Sequence, residues 1–195
     1  MFILCALLSI SLSAELKILA LAGSTRADSV NNKLVTNASK LARQEGAHVT
    51  LIDLKDFPLP FYDADFEKER GMPQNARKLR QLMMQNEVIF IASPEYNDSV
   101  SGVLKNTIDW ASRNETGGSS RDAFKGKRFV IMSASPSAKG GINGLNHLKA
   151  IIESIGGEVI PKYVVVPNAY SAFDPQGNLK DPQKKEELQE IIRNL

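Results

Sequence analysis

A single cysteine, Cys5, two histidines and one tryptophan are all that 195 residues hold of those side chains. One cysteine excludes an intramolecular disulfide and any metal site built from cysteines. His48 and His147 stand in unrelated segments with no second ligand nearby, so neither reads as a metal ligand or a general base. An excess of one charge is missing too. Lys and Arg number 24 against 22 Asp and Glu, a formal net charge of +2, which speaks against a nucleic-acid surface and against an acidic carrier protein. Internal repeats, low-complexity tracts and charge blocks are absent. Neither G-x-x-x-x-G-K-[ST] nor G-x-G-x-x-G occurs, and no G-x-S-x-G elbow supports serine hydrolase chemistry.

The longest uncharged apolar run, Met1–Ala14, is too short to span a bilayer comfortably. It lacks the basic start of a secretory signal, although Ser11-Leu12-Ser13-Ala14 has the small residues of a cleavage site. It reads as a dispensable extension from an upstream start, with export as the alternative. Residues 15–195 then form one domain, and 43% hydrophobic composition supplies a full core at this length.

What the chain does have is a series of apolar runs ending in polar loops. Leu16–Ala22 has no polar alternation, as expected of a strand covered on both faces. It leads into Gly23-Ser24-Thr25-Arg26-Ala27-Asp28-Ser29-Val30-Asn31, and a helix from Asn31 to about Glu45 follows. Hydroxyls, one guanidinium and the first amides of a helix are what a phosphate needs. Asn31 either donates to that anion or caps the helix. Ala47–Leu54 reads as the second strand. The Pro- and aromatic-rich Lys55–Asp63 is irregular but packs over something, and Pro73 opens a second helix.

Strand three, Glu87–Ala92, runs into Ser93-Pro94-Glu95-Tyr96-Asn97-Asp98-Ser99-Val100-Ser101-Gly102. Here Tyr96 offers a flat face beside hydrogen-bonding groups, which suits a planar heteroaromatic ring. A third helix carries Val103, Leu104, Ile108 and Trp110, and Asn114–Lys125 reads as a mobile polar loop. Strand four, Phe129–Ala134, closes into Ser135-Pro136-Ser137-Ala138-Lys139-Gly140-Gly141, whose glycine amides are expected to face a ring carbonyl. A fourth helix ends at Ile155, a final strand runs from Glu158 to Val166, and Asp181-Pro182 opens a C-terminal helix. Five strands alternating with helices predict a parallel sheet with right-handed crossovers. The loops after strands one, three and four then meet at the carboxyl ends of the strands, where such sheets bind ligands.

Gly23-Ser24-Thr25-Arg26-x-x-Ser29-x-Asn31 followed by Pro94-Glu95-Tyr96-Asn97-x-Ser99-x-x-Gly102-x-Leu104-Lys105-Asn106-x-x-Asp109-Trp110 resembles the NAD(P)H-dependent FMN reductase family, over about Leu16 to Val166. The resemblance implies a flavodoxin-like α/β three-layer sandwich, with a five-stranded parallel sheet in the order 2-1-3-4-5 and helices on both faces. It implies FMN as cofactor and NADPH or NADH as donor, with hydride passing through the flavin to a quinone, free flavin, azo dye or chromate in a ping-pong scheme. Ser24, Arg26, Ser29 and Asn31 would hold the phosphate. Pro94, Glu95, Tyr96 and Asn97 would lie along the ring, with Ser135 near its far edge. No catalytic acid or base and no metal is implied. Neither a nucleic acid nor a membrane enters as partner, and a cytoplasmic homodimer or homotetramer is expected. The alternative is a flavodoxin-type electron carrier without its own NAD(P)H site. The chain departs from the pattern at Ser137, where many members have glycine, and in its apolar N-terminus.

Overall fold

The computed structural model describes residues 15–195, so the reading of Met1–Ala14 as an extension lies outside the described residues. Strand β1 (Lys17–Ala22) sits inside a parallel sheet between β2 (His48–Ile52) and β3 (Val88–Ala92), and β6 (Arg128–Ala134) extends the sheet beyond β3. Alternate Cβ atoms of a strand point to opposite faces, and β1 divides its side chains accordingly. Ile18, Ala20 and Ala22 pack with Leu34, Val35 and Ala38 of α1 (Val30–Gln44) and with Leu188, Ile191 and Ile192 of α6 (Pro182–Arg193). Leu19 and Leu21 pack on the other face with α3 (Gln74–Gln85), α4 (Gly102–Ala111) and α5 (Ile142–Ser154). This is the expected three-layer α/β sandwich. β2, at the sheet edge, leaves Leu51 37% exposed.

The far edge departs from expectation. In place of one strand over Glu158–Val166 there are two pieces, β7 (Glu158–Val159) and β8 (Val164–Val166), each pairing in parallel with β6. From Val159 to Val164 the edge takes five residue steps where β6 takes three, from Phe129 to Met132. Pro161, which has no N–H for the ladder, stands in the bulged stretch. The order β2-β1-β3-β6 followed by a split edge is the expected 2-1-3-4-5 with its last member broken, giving six strands.

Three further stretches carry more structure than their sequence suggests. Ala64–Arg70 forms a short helix, α2, with Asp63 as its cap. Glu95–Tyr96 (β4) and Ser99–Val100 (β5) form an antiparallel hairpin rather than an open loop. The segment after Asn114, expected to be mobile, is tied by the Asn114 side-chain Oδ1, which accepts from the Thr116 and Gly118 backbone N–H groups, while Ala123 and Phe124 are fully buried. Among the described residues no helix is long and apolar enough to cross a membrane.

Candidate active site

Gly23 begins the first loop by donating its N–H to the Ala92 carbonyl at 2.9 Å, which continues the β1–β3 ladder by one step. Its own carbonyl accepts from the Ser101 hydroxyl at 2.6 Å. Ser101 also caps α4, its oxygen accepting from the Leu104 N–H. One serine therefore fastens the first loop to the helix after the second. Glycine is required at position 23 because a Cβ there would lie 2.9 Å from the Leu104 side chain.

Ser29 is the N-cap of α1, accepting from Asn32 N–H at 3.3 Å, and Ser24 accepts from Arg26 N–H at 3.3 Å. Both serines are buried, and both use an oxygen lone pair in these contacts, so each keeps its O–H to donate. The opening amides of a helix have no intrahelical acceptor. Asp28, the one acid in the loop, is paired with Lys33, and that contact lowers its pKa. The loop thus offers an anion donors without an uncompensated negative charge.

Asn31 does not cap the helix, and most of its amide is engaged elsewhere. Its side chain is buried, its Nδ2 donates to the Ala134 carbonyl at 2.9 Å and its Oδ1 accepts from Ala134 N–H at 2.9 Å. The cap is Ser29, and most of the Asn31 amide is spent joining α1 to the end of β6.

The second loop is a hairpin whose two central residues, Asn97 and Asp98, have φ of 50° and 60°. That pair of left-handed residues matches the two-residue turn whose twist suits a hairpin. Glu95 reaches across to α5, its carboxylate accepting from Gly144 N–H at 2.7 Å. It caps a helix whose preceding residue, Gly141, has no side chain to do so. Asn143 donates to Asp98, and the His147 ring lies 3.1 Å from the Ser99 hydroxyl, so the hairpin is seated on α5.

The third loop corrects one expectation. Gly140 and Gly141 are buried and do not line the crevice. A Cβ on Gly140 would lie 2.3 Å from Val165, and one on Gly141 would lie 2.1 Å from the Ser133 hydroxyl, so these glycines serve close packing. Ser137 takes no left-handed conformation, which shows that glycine is not needed there. Its N–H donates to the Ser135 hydroxyl.

These three loops enclose a crevice of about 180 Å3. Ser24, Arg26, Ser29, Asn31, Pro94, Glu95, Tyr96 and Ser135 all line it; Asn97, at the hairpin tip, does not. Thr25 turns to a neighbouring groove with Leu59 and Val103. Tyr170, from the segment after β8 and outside both sequence motifs, completes the crevice wall. The readable signal is positional, because the loop after the last parallel strand also opens at the carboxyl edge. Contact with the Tyr96 phenol, and secondarily with that of Tyr170, raises the Arg26 pKa above that of a free arginine. A wider hollow of about 500 Å3 opens elsewhere at Glu67 and Arg113. Its buried carboxylate is already paired at 2.7 Å, which makes it the poorer candidate despite its size. Among the described residues no cluster of three or more His, Cys, Asp or Glu is placed to hold a metal ion.

One end of the crevice therefore suits an anion and the other a flat ring. Residues 16–171 match the model of the NADPH-dependent FMN reductase family. The chain belongs to that family. It is 32% identical over 185 residues to an NAD(P)H-dependent FMN reductase of Pseudomonas aeruginosa, an alignment covering 94% of this chain and 95% of the relative. It is also 32% identical over 185 residues to an NADPH:quinone oxidoreductase of Arabidopsis thaliana, covering 92% and 90%. Among solved structures, the flavoenzyme NAD(P)H:(acceptor) oxidoreductase of Paracoccus denitrificans superposes with a TM-score of 0.75 at 26% identity, covering 91% of this chain and 93% of that one. As a member of the FMN reductase family the protein is an oxidoreductase, and the family's cofactor is FMN with NAD(P)H as donor.

The donor set fits FMN at its phosphate end: two buried hydroxyls with free protons, one arginine and a helix start. The enclosed volume is below the roughly 300 Å3 at which drug-sized pockets begin. Tyr96, on one wall of the crevice, is itself 50% exposed.

Proposed function

We propose that this crevice carries FMN with its phosphate at Ser24, Arg26, Ser29 and the start of α1, and its ring along Pro94, Glu95 and Tyr96 with Ser135 at the far edge. The observation that supports this most is the pairing of an anion-binding end with a half-exposed aromatic platform in one crevice. Asn31 contributes indirectly, by fixing Ala134 beside Ser135, and through the one amide hydrogen it has left. Asn97 contributes the turn that presents Tyr96.

Bound FMN supplies the two-electron chemistry between a reduced nicotinamide and an acceptor. The protein supplies position. Ser24, Ser29 and Arg26 hold the charged end, and the hairpin seated on α5 fixes the platform. No side chain in the crevice is required as a proton donor or acceptor. One crevice must serve both donor and acceptor, so they use it in turn and the kinetics are ping-pong. The acceptor is a small electrophile of the quinone, free flavin, azo-dye or chromate kind. Anaerobic NADPH alone should bleach the bound flavin, and initial rates should give parallel double-reciprocal lines. A flavin that stays yellow marks an electron carrier instead, and intersecting lines contradict the shared site.

The reading extends to a homodimer or homotetramer formed through α4 and the loop it grips, where Phe61 is 82% exposed. Sedimentation showing only monomer at micromolar concentration contradicts that part.

A further inference from the structure

Beyond the loops that the sequence marks out, the chain after β8 has its own place at the crevice. Val166 accepts from Ser135 N–H at 3.1 Å, and Ala169 N–H donates back to the Ser135 carbonyl at 3.1 Å. Asn168 between them takes a left-handed φ of 49°, and Ser171 N–H closes the turn onto the Asn168 carbonyl at 3.0 Å. Ala169 is fully buried, yet the next residue, Tyr170, is 72% exposed. An anchored turn thus projects a large aromatic side chain to the crevice rather than into the core.

The residue that gains from this is Arg26. It is exposed on a long stem, and among the described residues it makes no ion pair, since Asp28 is paired with Lys33. A free arginine loses rotamer freedom on being fixed, so a phosphate ligand of this kind binds better if something already restrains it. Tyr96 and Tyr170 both line the crevice with it, one from each of two different loops.

We propose that Tyr170 is a positioning residue for the phosphate end of the site, flanking the Arg26 guanidinium together with Tyr96 and holding it at the crevice that Ser24 and Ser29 line. A guanidinium has five N–H donors, so a phenol oxygen can take one and leave the fork for an anion. This rests on the FMN reading above. A tyrosine whose only part were to wall off the ring would act on any flavin, whereas one that acts through Arg26 matters only when the ligand carries a phosphate.

The test is a titration of the apoprotein with FMN and, separately, with riboflavin, followed by flavin fluorescence. Tyr170→Ala and Tyr170→Phe should each weaken FMN binding by about three- to tenfold, the range of an ordinary net hydrogen bond. Riboflavin affinity should not change, and in an Arg26→Ala background Tyr170→Ala should have no further effect. Equal losses for FMN and riboflavin, or full FMN affinity in both variants, overturns the proposal. Wild-type affinity in Tyr170→Phe with loss only in Tyr170→Ala overturns the hydrogen-bond basis. If the wild-type apoprotein binds neither flavin, the cofactor reading itself fails, a result distinct from the others.

Discussion

The motif from Pro94 to Trp110 divides into two halves that work on different things. Its first half, the hairpin Glu95–Val100, lines the crevice with Glu95 and Tyr96 and is held by α5. Its second half lies on α4 and turns away from the crevice. Asn106 accepts from Tyr62 N–H at 2.8 Å and donates to the Pro60 carbonyl at 2.9 Å, and Trp110, fully buried, donates its indole N–H to the same carbonyl at 2.8 Å. Tyr62 and Phe66 meet the Trp110 ring edge-on at 5.1 and 6.2 Å. The Pro-rich loop that sequence alone leaves irregular is thus gripped by two motif residues. One continuous pattern encodes a crevice wall and a structural clamp. Ser101, between the halves, ties both to the first loop.

That division is open to direct attack. Trp110→Ala removes a fully buried indole and should cost about 3–5 kcal/mol of unfolding free energy, read from urea denaturation, while the folded fraction keeps its FMN affinity. A flavin-free but stable variant would merge the two halves into one. Glu67→Ala strands Arg113, which donates to the carboxylate at 2.7 and 3.0 Å behind the same loop. It should also cost about 3 kcal/mol or somewhat more if the pair behaves as buried. Asn106→Ala leaves the Tyr62 N–H without its acceptor and should cost about 1–3 kcal/mol, again without effect on flavin. On the platform side, Glu95→Ala removes a helix cap worth about 1 kcal/mol, and here riboflavin affinity should fall as well. The smallest effect is in pH. Burial is the main reason that the Tyr62 phenol is pushed above its usual value of 10.0. The unfolded chain then ionises first, so stability present below about pH 10 declines as pH rises toward the folded value. The urea midpoint should register this contribution, and Tyr62→Phe should remove it.

Much of this architecture is legible in the residues themselves. β1 and β3 announce themselves as unbroken apolar runs because both faces are covered, and Asp181-Pro182 marks the start of α6 by a cap and a first-turn proline. The anion end of the crevice is legible for a similar reason. Serines and an arginine between a buried strand and a helix suit an anion, although such serines also serve as caps, as Ser29 does here. What escapes is whatever depends on partners far along the chain. Nothing local to Asn31 says that its amide will pair with Ala134, 103 residues away. Gly140 and Gly141 look like a loop that approaches a ligand, but Val165 and Ser133 are what they approach. The helix Ala64–Arg70 is mostly charged and shows no apolar stripe, so its periodicity is silent. The split of the last strand at Pro161 and the hairpin turn at Asn97-Asp98 were readable in principle, since each rests on backbone chemistry written in those residues.

The central claim is that the loop from Gly23 to Asn31 anchors a flavin by its phosphate. The visible absorption spectrum of the purified protein after reconstitution with FMN tests it most directly, with a Ser24→Ala/Arg26→Ala variant beside the wild type. Arg26 is exposed, and Ser24, though buried, lines the crevice and accepts only one loop N–H at 3.3 Å, so the two proteins should unfold at similar temperatures. The account predicts the bands of oxidised flavin in the wild type and their loss in the variant after gel filtration. A colourless wild type that cannot be reconstituted, or a variant that keeps its full complement of FMN, would contradict it.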